Sequence, residues 1–149
     1  MLLCKNKTGY ENLIKLVSKG YTEGFYLKPR VDRELLRAHS EGLIALSACL
    51  SGEIPKALLS GDYERAKRNA LDYSEIFGKD NFFIELQDHG TKDTQEILPE
   101  LVKLADECGL GMVATNDCHY LRKRDAETQQ ILMCIQTNTN LDSPNKPGF

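Results

Sequence analysis

Three segments place metal-ligand side chains just after short apolar runs: Ala48-Cys49, Asp88-His89 and Asp117-Cys118-His119. If those runs are strands of a parallel α/β sheet, the residues fall beyond strand carboxyl ends, where such sheets collect functional groups. Asp117 and His119 are the most suggestive pair. A carboxylate and an imidazole two residues apart past a strand end reach one divalent ion together. Zinc accepts both ligand types, manganese also fits, and Cys49 as a thiolate would favour zinc.

Each residue also has a simpler reading. Asp117 fits a turn cap and His119 a hydrogen-bonded histidine. Cys49, Cys108 and Cys134 suit small buried apolar side chains, and Asp88-His89 before Gly90 suits a turn. His39 fits a helix C-terminus, where its charge complements the dipole. Arg122, Lys123 and Arg124 form a charge run that is either solvated or laid against a phosphate backbone. Glu85 sits in an apolar run, so if buried it needs a partner and either holds the structure or supports a ligand. The sequence contains no glycine-rich phosphate loop, no G-x-S-x-G elbow and no HExxH. Ser47 and Ser51 flank Cys49, but no histidine has a spacing that suggests a nucleophilic triad. Spacing alone therefore defines an α/β domain with a candidate metal site.

The elements that must position these residues follow from periodicity and punctuation. A first helix is predicted with Thr8 as N-cap and Glu11 completing a capping box, an apolar face at Leu13, Ile14, Leu16 and Val17, and an end between Gly20 and Gly24. Residues 24–30 should be extended or turned ahead of Pro29, and a short helix covers about 32–38. The run 42–47 reads as a buried strand. Pro55 falls in the first turn of the next helix, and Asp62 caps a long helix to about Phe77. A strand is predicted at 81–87, and a helix at 94–108 with Pro99 either in its first turn or kinking it. A strand at 112–116 and a helix at about 124–137 follow. Such alternation predicts parallel strands with crossover helices. Three strands are too few for a comfortable sheet. Leu2-Leu3-Cys4 looks like the end of a strand already under way, so the expectation is a single incomplete domain.

The 149 residues are 41% hydrophobic and 28% charged, with a net charge of −3. Those values suit a globular domain and give no global basic footprint for nucleic acid. No apolar run is long enough to span a bilayer and no secretory signal opens the chain, so a cytoplasmic location is expected. Five cysteines without a CxxC pair read as reduced thiols.

Six ordered blocks resemble the PHP domain of bacterial DNA polymerase III alpha subunits. They are Lys-Thr-Gly-Tyr-Glu-Asn-Leu at 7–13, Gly-Phe-Tyr-Leu-Lys-Pro-Arg-Val-Asp at 24–32, and Glu-Gly-Leu-Ile-Ala-Leu-Ser-Ala-Cys-Leu-Ser-Gly-Glu at 41–53. Phe-Ile-Glu-Leu-Gln-Asp-His-Gly at 83–90, Val-Ala-Thr-Asn-Asp-Cys-His-Tyr-Leu at 113–121 and Cys-Ile-Gln-Thr at 134–137 complete the set. The resemblance implies a distorted β/α barrel, here partial, with a metal cleft. The family's Asp-x-His motif falls on Asp117 and His119 and its cysteine ligand on Cys49, while Glu85 and His89 would lie behind the ligands. It further implies zinc or manganese at that cleft, magnesium in a polymerase core, and the chemistry of a metal-dependent 3′→5′ exonuclease. DNA and replisome subunits (sliding clamp, clamp loader, proofreading subunit) are the implied partners.

The family's opening His-x-His motif, its further Asp, His and Glu ligands and the polymerase palm aspartates are not in this sequence. The fragment alone is therefore expected to be inactive and to self-associate through an open sheet edge. Residues 138–149 are expected to lead toward the polymerase core. Two alternatives stand beside the exonuclease: a PHP domain that braces the polymerase and its partner subunits without hydrolysis, and a stand-alone phosphoesterase for small phosphate esters.

Overall fold

A computed structural model describes residues 1–143. The expected tail at 138–149 thus lies partly outside the described residues. Two compact units divide the chain, Met1–Asn116 and Asp117–Phe149.

The first unit is built on a four-stranded sheet in the order β1 (Leu2–Cys4), β2 (Leu43–Leu46), β3 (Phe82–Leu86) and β4 (Gly111–Ala114). The strands β2, β3 and β4 are parallel, as the alternation predicts, with Ala45 opposite Phe82 and Glu85 opposite Val113. β1 differs: it runs antiparallel to β2, pairing Leu3 with Ile44. Its connection to β2 passes through α1 (Lys7–Thr22) and α2 (Arg33–Ala38).

Between β2 and β3 lie α3 (Glu53–Leu59) and α4 (Tyr63–Phe77), and between β3 and β4 lies α5 (Lys92–Cys108). Asp62 caps α4 by accepting from the Arg65 amide, and Asp32 caps α2 in the same way through Leu35. The cap of α1 is Asn6, whose Oδ1 accepts from the Gly9 amide, and not Thr8. Asn is as good a cap as Thr, and it stands two residues earlier. The last helix of this unit starts at Lys92 behind a Thr91 cap, so Pro99 lies in the helix interior. The periodic face Ile97, Leu101, Leu104 and Ala105 is buried and holds the helix in place despite that proline.

Leu43, Ala45, Phe82 and Ile84 of the sheet pack with Ile54, Ala66, Ala70 and the α5 face in one core. Each large side chain buried there contributes about 1.5–3 kcal/mol. Arg33 ties α2 to its neighbours: it bonds to Asp72, to Glu53 (2.5 Å) and to Asn69 (2.9 Å), and stacks over Tyr73. On α1, Leu16 is buried, whereas Tyr10, Ile14, Val17 and Tyr21 are exposed.

The second unit opens with Asp117 and carries a 3-10 turn (Lys123–Asp125) and α6 (Ala126–Thr137), which ends at Asn138 in the left-handed region. Among the described residues, no helix is long and apolar enough to cross a membrane.

The tightest approach in the first unit is α1 against the turn before β2. A Cβ on Gly9 would lie 1.9 Å from the Gly42 carbonyl oxygen. Gly9→Ala is expected to destabilise the chain by about 1–3 kcal/mol or more through overpacking. Gly61→Ala meets no atom and bears only the cost of its left-handed backbone. Thermal unfolding of the two variants should place Gly9→Ala well below Gly61→Ala.

Candidate metal centre

The parallel strands deliver their polar residues to one end of the sheet. After β2 the backbone turns through Ser47 and Ala48, with Ala48 at φ 69°. A left-handed alanine is unfavourable, and such residues gather at sites the surrounding structure over-determines. The turn presents Cys49, which is half-buried. Its chain neighbour Gly52 closes the loop by donating its amide to the Cys49 carbonyl at 2.8 Å.

Glu85, fourth in β3, is 2% exposed. Its Oε1 accepts from Thr115 Oγ1 at 2.5 Å and from Gln87 Nε2 at 3.1 Å. Its amide donates to Ser47 Oγ at 2.8 Å, so the residue joins β2, β3 and the segment after β4. The other carboxyl oxygen, Oε2, is buried without a hydrogen-bond partner. A cavity of about 10 Å³ lies beside it, with Cys49, Gln87 and Thr94 also in its wall. Glu85 therefore does need the partner that its place in an apolar run implied, and Thr115 is that partner.

Asp88 and His89 are exposed, and Asp88 Oδ1 accepts from the Gly90 amide at 2.9 Å. That is the turn geometry given above as the simpler reading for this segment. His39 caps the end of α2. Cys108 behaves as the apolar filler expected of it: burial pushes its thiol up, against the pull of Lys67. A larger pocket of about 340 Å³ opens near the end of β2, between Ser47, Ser51, Glu53, Tyr73, Phe77 and Phe82. Burial, then the Glu53 charge, pushes the Tyr73 phenol up and keeps it neutral there.

In the second unit, His119 Nε2 lies 3.4 Å from Asp117 Oδ1, and both side chains are part-exposed. Two ligands of one tetrahedral zinc ion, each bound at about 2.0–2.1 Å, stand about 3.3 Å apart. The pair thus has the separation that a shared ion requires, and zinc accepts both a carboxylate and an imidazole. Among the described residues, no group of three or more His, Cys, Asp or Glu is arranged to hold a metal ion.

A mixed α/β sheet whose parallel strands carry a candidate metal ligand, Cys49, beyond a carboxyl end is the class of domain these features define. The family model described as "PHP domain" matches residues 1–89, and the chain belongs to that family. Over its whole length the chain is 49% identical to DNA polymerase III subunit alpha of Treponema pallidum, of which it covers 13%. It is 50% identical over 148 residues (99% of the chain) to the alpha subunit of Thermus aquaticus, of which it covers 12%. The Deinococcus radiodurans alpha subunit is 48% identical over 148 residues, again 99% of the chain and 11% of the relative. The chain thus spans about an eighth of the length of these relatives.

The Thr115 hydroxyl is a half-buried support of the Glu85 carboxylate. Thr115→Val, which keeps the shape and removes the donor, is expected to lower stability by about 1–3 kcal/mol. Thr115→Ser should stay near the parent in a denaturant titration.

Proposed function

We propose that the chain is the PHP region of a replicative DNA polymerase III alpha subunit, and that this region carries a metal-dependent 3′→5′ exonuclease site in the complete polypeptide. The observation that supports this best is the Asp117–His119 pair at 3.4 Å in a chain alike throughout its length to alpha subunits. Residues beyond this sequence would complete a distorted β/α barrel, supply further ligands and hold the magnesium-dependent polymerase core, toward which 138–149 would lead. DNA, the sliding clamp, the clamp loader and a proofreading subunit are the partners of such a protein, and the cytoplasm is its place.

In this reading Asp117 and His119 would hold an ion, and Cys49, a ligand by the family's motif, would as a thiolate shift preference toward zinc over manganese. When bound, the metal supplies a water acidic enough to be hydroxide near neutral pH and charge to stabilise the leaving oxygen. Asp117 brings the negative charge that favours a cation, and His119 binds through the nitrogen facing Asp117, which must be unprotonated. Glu85 and His89 lie behind the ligands in this reading.

A second reading, a PHP domain that braces the polymerase without hydrolysis, is favoured by the exposed apolar face of α1 at Tyr10, Ile14, Val17 and Tyr21. Contiguous apolar surface of that kind marks a contact, and its occupant would be the polymerase portion of the same polypeptide. Under this reading, chelation lowers the melting temperature and there is no nuclease activity to lose.

The complete polypeptide should release nucleotides from a DNA 3′ end in the presence of zinc or manganese. Asp117→Asn and His119→Ala should each reduce that rate by more than about 100-fold, since even the partners behind a metal ligand matter 10–100-fold. Release undiminished in both variants would remove these residues from the site.

A further inference from the structure

The Glu85 carboxylate is only half satisfied by the protein. Thr115 and Gln87 both donate to Oε1, and Oε2 has neither a partner nor solvent contact. Native structures leave few buried polar atoms bare, and a carboxylate oxygen is among the costliest to leave so. Something beyond the protein's own donors must face it.

The adjoining cavity limits what that is. Its volume of about 10 Å³ is the room of a single water. Ile97 and Leu101 form apolar wall, while Cys49, Gln87 and Thr94 bring the polar groups. The Thr94 hydroxyl donates to the Thr91 carbonyl at 2.8 Å and meets the Thr91 hydroxyl at 2.9 Å, so it is engaged within the start of α5. A water needs two to four polar partners, and Glu85 Oε2 and Cys49 provide two acceptors, one for each of its hydrogens. A zinc ion would need four ligands, and Glu85 and Cys49 are the two side chains of ligand type lining this cavity.

We infer that one water occupies this cavity, donating one hydrogen to Glu85 Oε2 and the other to the Cys49 sulfur, and that Glu85 is thereby a positioning residue for Cys49. The anionic carboxylate fixes which way the water points. The water in turn fixes the sulfur lone pair left for a ligand or metal. In this part the inference rests on the reading of Cys49 as a metal ligand; the water itself does not. A loop already held by the left-handed Ala48 and the Gly52–Cys49 hydrogen bond gains its last side-chain constraint from this water.

Two measurements test it. A high-resolution crystal structure of the full chain should show one ordered water within hydrogen-bond reach of both Glu85 Oε2 and Cys49 Sγ. A dry cavity, or a water bound to neither atom, overturns the inference. The second is titration of the complete polypeptide with Co²⁺ alone, followed by the thiolate-to-cobalt absorption band. Cys49→Ser should abolish the band, and a band that survives it refutes Cys49 as a ligand while the crystal structure still decides the water. Glu85→Gln keeps the volume but turns the water around, and should weaken Co²⁺ binding about 10–100-fold with the band retained. If Glu85→Gln lowers only the melting temperature and leaves the Co²⁺ affinity unchanged, Glu85 is structural and the positioning role is wrong.

Discussion

A carboxylate with 2% exposure lies where the three parallel strands end, and keeping it satisfied constrains all three. The Glu85 amide reaches back to Ser47 beyond β2, and its Oε1 takes hydrogen bonds from Thr115 beyond β4 and from Gln87 just past its own strand. A buried charge without such donors would cost more than the packing around it returns. Slipping β3 by one residue would turn Glu85 to the opposite face and put a neighbouring apolar side chain before Thr115. Hydrophobic pairs such as Ala45 with Phe82 tolerate near misses, but this network does not. Register at the end of the sheet that bears the candidate site is therefore set by polar chemistry rather than by burial alone.

Much of the fold was legible because the helices and strands announce themselves by period and punctuation. The α5 face and the Asp62 cap follow from residues within a few positions of one another, and both are where the local pattern puts them. The direction of β1 was not legible. Three residues, Leu2 to Cys4, carry no signal that separates parallel from antiparallel pairing. That choice is made by the α1–α2 connection and by the contact of Gly9 with Gly42, 33 positions apart in the chain. The cap of α1 shows a smaller version of the same limit. Thr8 with Glu11 and Asn6 with Gly9 are both sound local patterns, and the tertiary fit of Gly9 decides between them.

The candidate site divides in the same way. Asp117 and His119 are close because they are near in sequence, so their proximity could be read from spacing. Thr115 was missed as the partner of Glu85. A signal existed: a lone acid inside Phe-Phe-Ile-Glu-Leu demands a donor, and Thr115 is the first hydroxyl past β4. Using it required the β3–β4 register, which pairs Glu85 with Val113 and brings the residue two further on to the same face. The reading of Cys49 as a ligand rests on the pattern of neighbouring residues shared with a family, since its spacing to any histidine carries no information.

The loop that carries Cys49 explains why that pattern extends over several residues and not one. A Cβ on Gly52 would fall 2.3 Å from the Ser47 carbonyl oxygen, so the chain folds back on itself within five residues. To make that reversal, Ala48 accepts a left-handed backbone that costs about 1–2 kcal/mol for a residue with a side chain. Ser47 at one end of the loop is held by Glu85, and Glu53 just past the other end is held by Arg33. A loop anchored at both ends, at a cost in backbone strain, fixes the place of the side chain it carries, which is the preorganisation that the proposed ligand role of Cys49 calls for.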